Sequence, residues 1–183
     1  MRILVAEDEA IMRMGLQTML IALGHEPILA VDGRDALAKA RQFVPQLAIL
    51  DINMPFIDGL AVAEELAIQQ PMPIIILTAH SDPQTVERAS ELPIHAYLVK
   101  PVKANDLPPA LLVAQKRFVE MQTLQNQTHK LEEKLSARKW IDKAKALLMK
   151  NGMDEEQSYL HIQHLARERR VGMGVVAKEL LGE

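Results

Sequence analysis

The first hundred residues predict an α/β fold with a doubly wound parallel sheet, and the remainder predicts helices alone. Three observations carry this. Five short, near-continuous apolar runs recur at Arg2–Ala6, Pro27–Val31, Leu47–Leu50, Pro73–Leu77 and His95–Leu98. Runs of that length without polar alternation are strands buried on both faces. Between and after them lie stretches with helical spacing: Ile11–Leu23, Arg34–Phe43, Leu60–Gln69, Gln84–Ser90 and from Leu107 onward. Strand and helix alternating in this way build a parallel sheet with helices on both sides. The third observation is that Ala110 to Met149 contains neither Gly nor Pro, so one long helix, or two nearly continuous ones, follows the sheet.

Five β–α units fit a flavodoxin-like sheet of strand order 2-1-3-4-5. In such sheets, ligands bind beyond the carboxyl ends of the strands, at the switch point in strand order. The residues immediately after each strand are therefore the place to look for chemistry. Glu7 and Asp8 follow the first strand and Asp51 the third, and these two strands are neighbours in that order. Carboxylates brought together at one sheet end are tolerable when a cation sits among them. Oxygen-only ligands suit a hard ion such as Mg²⁺. Thr78 after the fourth strand and Lys100 after the fifth add a hydroxyl and an ammonium to the same rim. Such a site holds an anion beside a metal, and a carboxylate there can attack phosphorus to form an aspartyl phosphate. Any one acidic residue after a strand is ordinarily a cap or a turn residue. Five strand-end residues in this order are not explained that way.

The 183 residues contain no cysteine, which excludes disulfides and thiolate metal sites. No apolar run approaches the ~20 residues needed to span a bilayer, and a cytoplasmic protein with no membrane partner is expected. Residues 1–133 carry 11 Lys+Arg and 17 Asp+Glu, whereas residues 134–183 carry 10 and 7. The tail is thus a basic module beside an acidic one, the asymmetry expected where one end meets an anionic partner.

Within the long helix, Met121, Leu124, Thr128, Leu131 and Leu135 follow a 3,4,3,4 spacing, the seam of a coiled coil. Leu107, Leu111, Ala114, Phe118 and Met121 follow a similar spacing offset by a stutter. A helix docked on its own α/β domain would show the same period. Asn151-Gly152 ends this helix, and Asp154 with Glu155, Glu156 and Gln157 starts another whose apolar face is Tyr159, Ile162, Leu165 and Ala166. A last helix, Val175 to Leu181, follows Gly172-Met173-Gly174. Met12, Met14 and Met149 read as core.

The strand-end residues, with the segment Asp51-Ile-Asn-Met-Pro-Phe-Ile-Asp-Gly59, Thr78-Ala79 and Lys100-Pro101, resemble the receiver domains of two-component response regulators over residues 1 to about 120. The resemblance implies phosphorylation of Asp51 by a sensor histidine kinase. Mg²⁺ would be held by Glu7, Asp8 and Asp51 with the backbone carbonyl of Asn53. Thr78 and Lys100 would contact the phosphoryl group, Tyr97 would be the switch aromatic, and the Lys100–Pro101 bond would be cis. Phosphorylation would draw Thr78 inward, let Tyr97 turn in, and reshape the face built by the Gln84–Ser90 helix, the last strand and the helix from Leu107. Such a protein is not an enzyme beyond Mg²⁺-dependent self-phosphorylation and dephosphorylation. His80 beside the pocket reads first as a surface histidine and second as a tuner of dephosphorylation.

The tail residues Leu135, Arg138, Ile141, Ala144-Lys145, Leu148-Met149, Glu155-Glu156, Tyr159, Leu165-Ala166 and Val176-Ala177 resemble the ANTAR family, small three-helix RNA-binding modules of antitermination regulators. Ala146 and Ser158 depart from that family's usual Gly and Ala. The implied organisation is a receiver over 1–120, a coiled-coil linker over 121–135 and an ANTAR-like domain over 136–183. The implied partners are hairpins in mRNA leaders and a second copy of the chain through the coiled coil. Either phosphorylation promotes that pairing, or the receiver occludes the tail until it is phosphorylated, and the sequence does not choose between them. Lys and Arg would sit on RNA phosphates: Arg138, Lys139, Lys145, Lys150, Arg167, Arg169 and Arg170 are the candidates. Trp140 and Tyr159 could stack on bases, although helix aromatics are more often core. Three rivals remain. A helical tail acting only through dimerisation or protein contacts would lack salt-sensitive RNA affinity. A DNA reader would want polar residues in series where Val175–Leu181 is apolar. A haloacid-dehalogenase-type phosphatase would want Asp where Asn53 stands.

Overall fold

The computed structural model describes residues 1–79 and 92–182, and for residue 129 the backbone only. The expected helix Gln84–Ser90 and His80 lie outside the described residues. The sheet is parallel, with strands β1 (Arg2–Ala6), β2 (Glu26–Ala30), β3 (Leu47–Asp51), β4 (Ile74–Thr78) and β5 (Ala96–Val99) in the order β2-β1-β3-β4-β5. The order reverses between β1 and β3, as expected. Every residue of β3 is buried, because a central strand has helices over both faces.

Alternate side chains of β1 to β4 feed two separate cores, the period of two that a pleated strand imposes, while the edge strand β5 buries only Ala96 and Leu98. Leu4, Ala48, Leu50, Ile74 and Ile76 pack under α2 (Gly33–Phe43) and α3 (Gly59–Gln69). Ile3, Val5, Leu47, Ile49, Ile75 and Leu77 pack on the other face under α1 (Ala10–Ala22) and the first turns of α4 (Leu107–Lys150). Asp32 and Asp58 cap α2 and α3, their carboxylates accepting from the Asp35 and Ala61 N–H groups at 2.8 and 2.7 Å. Each strand lies within one residue of its expected span. The small shifts come at strand ends, where Val31 is half exposed and the chain has already left the sheet.

The chain divides into two compact units, residues 1–121 and 122–183, and α4 contributes to both. In the first unit, Leu107, Leu111 and Ala114 are buried against the sheet and Phe118 meets the His95 ring edge-on at 5.4 Å. The 107–118 repeat is therefore a helix docked on its own sheet, and the coiled-coil alternative fails there. Pro108 and Pro109 sit in the first turn of α4, where a missing N–H costs little.

The second unit packs the last part of α4 against α5 (Glu155–Arg169) and α6 (Met173–Leu180) around Ala144, Leu148, Ile162, Ala166, Val176 and Ala177. Gly152, at φ 98°, ends α4 in the left-handed region, and Asp154 with Gln157 forms a capping box for α5. Three expectations are corrected here. The last helix begins at Met173, so Gly174 lies inside it. A Cβ at Gly174 would stand 2.7 Å from Ala137 Cβ, and α6 uses the missing side chain to approach α4. Tyr159 is 42% exposed while Ser158 is buried, since the Ser158 hydroxyl returns to the Asp154 carbonyl at 2.8 Å and fits the core side of α5. Met14 and Met149 are exposed, with only Met12 of the three packed on a core.

Candidate functional site

β1, β3, β4 and β5 deliver Glu7, Asp51, Thr78 and Lys100 to one end of the sheet. Asp51 is the last residue of β3, in register with Leu77, and Thr78 the last of β4, in register with Val99. The Lys100 N–H donates to the Thr78 carbonyl at 2.8 Å, which keeps the two strand ends together. Two further residues fix the rim. Arg13 from α1 donates to the carbonyls of Glu7 and Asp8 at 2.7 and 3.1 Å. Gly59 lets the turn after β3 close onto the Asp51 backbone carbonyl, a space that a Cβ would fill. Neither Arg13 nor this contact was legible as a spacing, because both depend on the packed turn.

The Lys100 ammonium lies 2.7 Å from Glu7 Oε2 and 3.0 Å from Asp51 Oδ1. Glu7 is fully buried, and that ammonium is the charge its Oε2 faces. Burial pushes both carboxyls up from their ordinary values. The Lys100 ammonium opposes this in each, while the Asp51 charge adds to it at Glu7 and the Asp8 charge at Asp51. The Asn53 N–H also holds the Asp51 carboxylate in its charged form. Burial works to lower the Lys100 pKa, but the two carboxylates outweigh it and hold the ammonium above its ordinary value.

Glu7, Asp8 and Asp51 each offer an oxygen, and the three lie within 4.8 Å of one another. The donor set is oxygen only, Glu7 and Asp51 are buried carboxylates that share one ammonium, and Asp8 is exposed on the open side. These residues fit Mg²⁺. Asn53 is exposed in the turn after β3, and the Lys100–Pro101 bond is cis. Tyr97 is 47% exposed and lines a cleft of ≈ 650 Å³ with Val99, Asp106, Val113 and Arg117.

The basic candidates in the second unit separate. Lys145 pairs with Glu155 at 2.7 Å and Arg169 with Glu179 at 2.6 Å, so these two staple α4 to α5 and α5 to α6. Arg138, Lys139, Lys150, Arg167 and Arg170 are exposed. Trp140 packs partly on the core, with the Lys143 and Lys178 ammoniums 4.7 and 5.8 Å from its ring centre. Sequence reasoning passed over these two lysines, since Lys178 reaches Trp140 only through the α4–α6 packing.

A doubly wound sheet whose strand ends gather an acidic triad, a lysine and a threonine defines a receiver domain. Comparison with known proteins agrees: residues 3–112 match the response regulator receiver domain and residues 129–181 match the ANTAR domain. The chain belongs to the response regulators that join a receiver to an ANTAR domain. It is 42% identical over 182 residues to the transcriptional regulatory protein PdtaR of Mycobacterium tuberculosis, covering 98% of this chain and 89% of that protein. The probable transcriptional regulator ycf27 of Porphyridium aerugineum is 41% identical over 106 residues, 58% of this chain and 44% of that protein. Among solved structures, Vibrio cholerae chemotaxis protein CheY4 superposes with a TM-score of 0.58 at 29% identity, covering 61% of this chain and 95% of that one. Among the described residues, no helix is long and apolar enough to cross a membrane.

Proposed function

We propose that this protein is a phosphorylation-controlled antiterminator that binds hairpin RNA in nascent transcripts. The observation that carries the reading is that Asp51, paired with Lys100 in a buried acidic pocket, and an ANTAR domain share one chain.

The chemistry follows from the pocket. The Asp51 carboxylate attacks the phosphorus of a phosphohistidine on a sensor kinase; the O–P bond forms as the P–N bond breaks, and the imidazole leaves. Lys100 pairs with the incoming phosphoryl oxygens, and the Thr78 hydroxyl donates to one of them. Mg²⁺, when bound by Glu7, Asp8, Asp51 and the Asn53 carbonyl, supplies positive charge against which the transferring group is neutralised. Thr78 moving toward the phosphoryl group lets Tyr97 turn in from its exposed position, and the surface around β5 and α4 is remodelled. The chain's own turnover is limited to this self-phosphorylation and its reversal.

Output runs through the tail. Exposed Met121, Leu124, Leu131 and Leu135, with Thr128 between, support pairing of two copies through residues 121–135. The receiver is taken as 1–120 and the RNA module as 136–183. Two linked modules grip two hairpins with more affinity than either alone. The exposed cations Arg138, Lys139, Lys150, Arg167 and Arg170 contact phosphates, while Lys145 and Arg169 act first within the fold. The same apolar seam fits the second reading, in which the tail works by dimerisation alone.

A gel shift of purified protein on tandem-hairpin RNAs, with and without a phosphoryl donor and beside Asp51→Ala, separates the readings. Binding that strengthens with the donor and is lost in Asp51→Ala is expected. No binding at moderate salt, with Asp51 normally phosphorylated, would leave the dimerisation reading.

A further inference from the structure

The arginines that close α5 do not serve one purpose. Arg169 is held by Glu179 at 2.6 Å. Arg167 and Arg170 instead line an open cavity of ≈ 340 Å³, together with Gln163, Ala166, Val171 and Met173, where α5 turns into α6. The turn makes the cavity. Arg170 takes the left-handed conformation at φ 55°, its N–H and that of Val171 close α5 onto the Arg167 and Ala166 carbonyls, and Gly172 leads into α6. Gln163, Arg167 and Arg170 stand four and three residues apart, on one face of the helix. Ala166, Val171 and Met173 form an apolar wall.

We propose that this cavity receives one unstacked base from an RNA loop, rests it on the apolar wall, reads its edge with the Gln163 amide, and holds the flanking phosphates with Arg167 and Arg170. The inference rests on the RNA-binding reading above and gives it a base-recognition site. None of the six lining residues is acidic, so the cavity suits an anionic ligand and not a cationic one. Single-stranded RNA is read by splaying out loop bases and contacting their faces and edges. A methionine thioether packs well on an aromatic ring. A glutamine amide presents a donor and an acceptor that match the N6 and N7 of adenine, which is the base expected. Other basic groups of this unit are already engaged: Lys143 and Lys178 lie over the Trp140 ring, and Lys145 is paired with Glu155.

The test uses the full chain, phosphorylated with acetyl phosphate and Mg²⁺, and the stem–loop it binds most tightly from a pool with a randomised loop. That RNA is then made with an abasic site at each loop position in turn. One position, an adenine, should weaken binding by roughly ten- to hundredfold when its base is removed. Gln163→Ala should weaken binding of the intact RNA by a similar factor and add nothing at that position. Gln163→Glu should bind more weakly still, and Arg167→Gln should lower the salt slope by about one phosphate contact. Melting temperatures of the variants should match the wild type, because Gln163 and Arg167 are not core residues. If the Gln163 variants bind the RNA as the wild type does, or if their loss adds to the abasic loss, the cavity is not the base site and RNA binding stands without it. If the pool yields no ligand for the wild type, the RNA reading and this inference fall together.

Discussion

Lys100 Nζ lies 3.0 Å from Asp51 Oδ1, with the two side chains 14% and 4% exposed. The same ammonium touches Glu7 at 2.7 Å, so one positive charge serves two buried carboxylates, and Asp8 stands beside them. The pocket is left with surplus negative charge. That surplus favours a cation, and it makes the lysine a structural partner before any phosphoryl group arrives.

Removing that lysine tests the structural half. Lys100→Met strips a partner from a buried ion pair, a change that costs about 3–5 kcal/mol. Urea unfolding in metal-free buffer should show that loss, and millimolar Mg²⁺ should recover part of it by binding the folded state alone. A variant as stable as the wild type without metal would contradict the pairing.

The pH dependence of stability should have two limbs. His95 is buried, accepts from the Ile74 N–H at 3.1 Å, and is held below its ordinary 6.5 by burial, with the Arg117 charge adding to this. Its folded pKa is therefore below its unfolded one. The stability it contributes is full above 6.5 and is lost as the pH falls toward the lowered value. Glu7 and Asp51 behave oppositely, being raised from 4.5 and 3.8 by burial. Their contribution is full below those values and is lost as the pH rises through the raised ones. Metal-free thermal melts across pH should show His95→Asn flattening the first limb and Asp51→Asn the second. Limbs unchanged by both substitutions would refute the assignment.

In the second unit, Gly174→Ala should destabilise by about 1–3 kcal/mol, since the new methyl meets Ala137 Cβ at 2.7 Å and its Cα at 2.9 Å. Ala137→Gly in the same chain should recover part of the loss, and the two changes should couple in a double-mutant cycle. Additive losses would mean that the helices do not touch there.

Leu124 and Leu131 are 63% and 61% exposed. If phosphorylated copies pair through residues 121–135 as proposed, Leu124→Lys with Leu131→Lys should leave the phosphorylated protein monomeric in sedimentation where the wild type sediments as a dimer. The pair of changes should also weaken binding to tandem hairpins while leaving single-hairpin affinity and Asp51 phosphorylation intact. A variant that still dimerises would place the interface elsewhere.

The receiver was legible because its chemistry sits at strand ends, and strand ends are marked by where apolar runs stop: Glu7, Asp51, Thr78 and Lys100 could each be placed from that alone. What stayed hidden depends on packing. A 3,4 spacing is shared by a docked helix and a coiled coil, so Leu107–Phe118 and Met121–Leu135 read alike although the first set is largely buried and the second exposed. Gly172-Met173-Gly174 reads as a break because glycine disfavours helix, yet Gly174 is helical since α6 approaches Ala137 there. Tyr159 reads as part of the apolar face of α5, yet its neighbour Ser158 is the buried one, because a hydroxyl that bonds back to its own helix can be buried. Among the basic residues, charge alone could not separate Arg169, spent on Glu179, from Arg167 and Arg170 beside a cavity.

The most direct measurement is the affinity of the full chain for a tandem-hairpin RNA by fluorescence anisotropy, over a series of salt concentrations, with Mg²⁺ and with or without acetyl phosphate, for wild type and Asp51→Ala. The expected result is salt-sensitive binding that tightens at least tenfold with the donor in the wild type alone, about 1.4 kcal/mol of coupling between Asp51 and the tail. Equal affinity in all four conditions, or none in any, would contradict the claim that phosphorylation of Asp51 controls RNA binding.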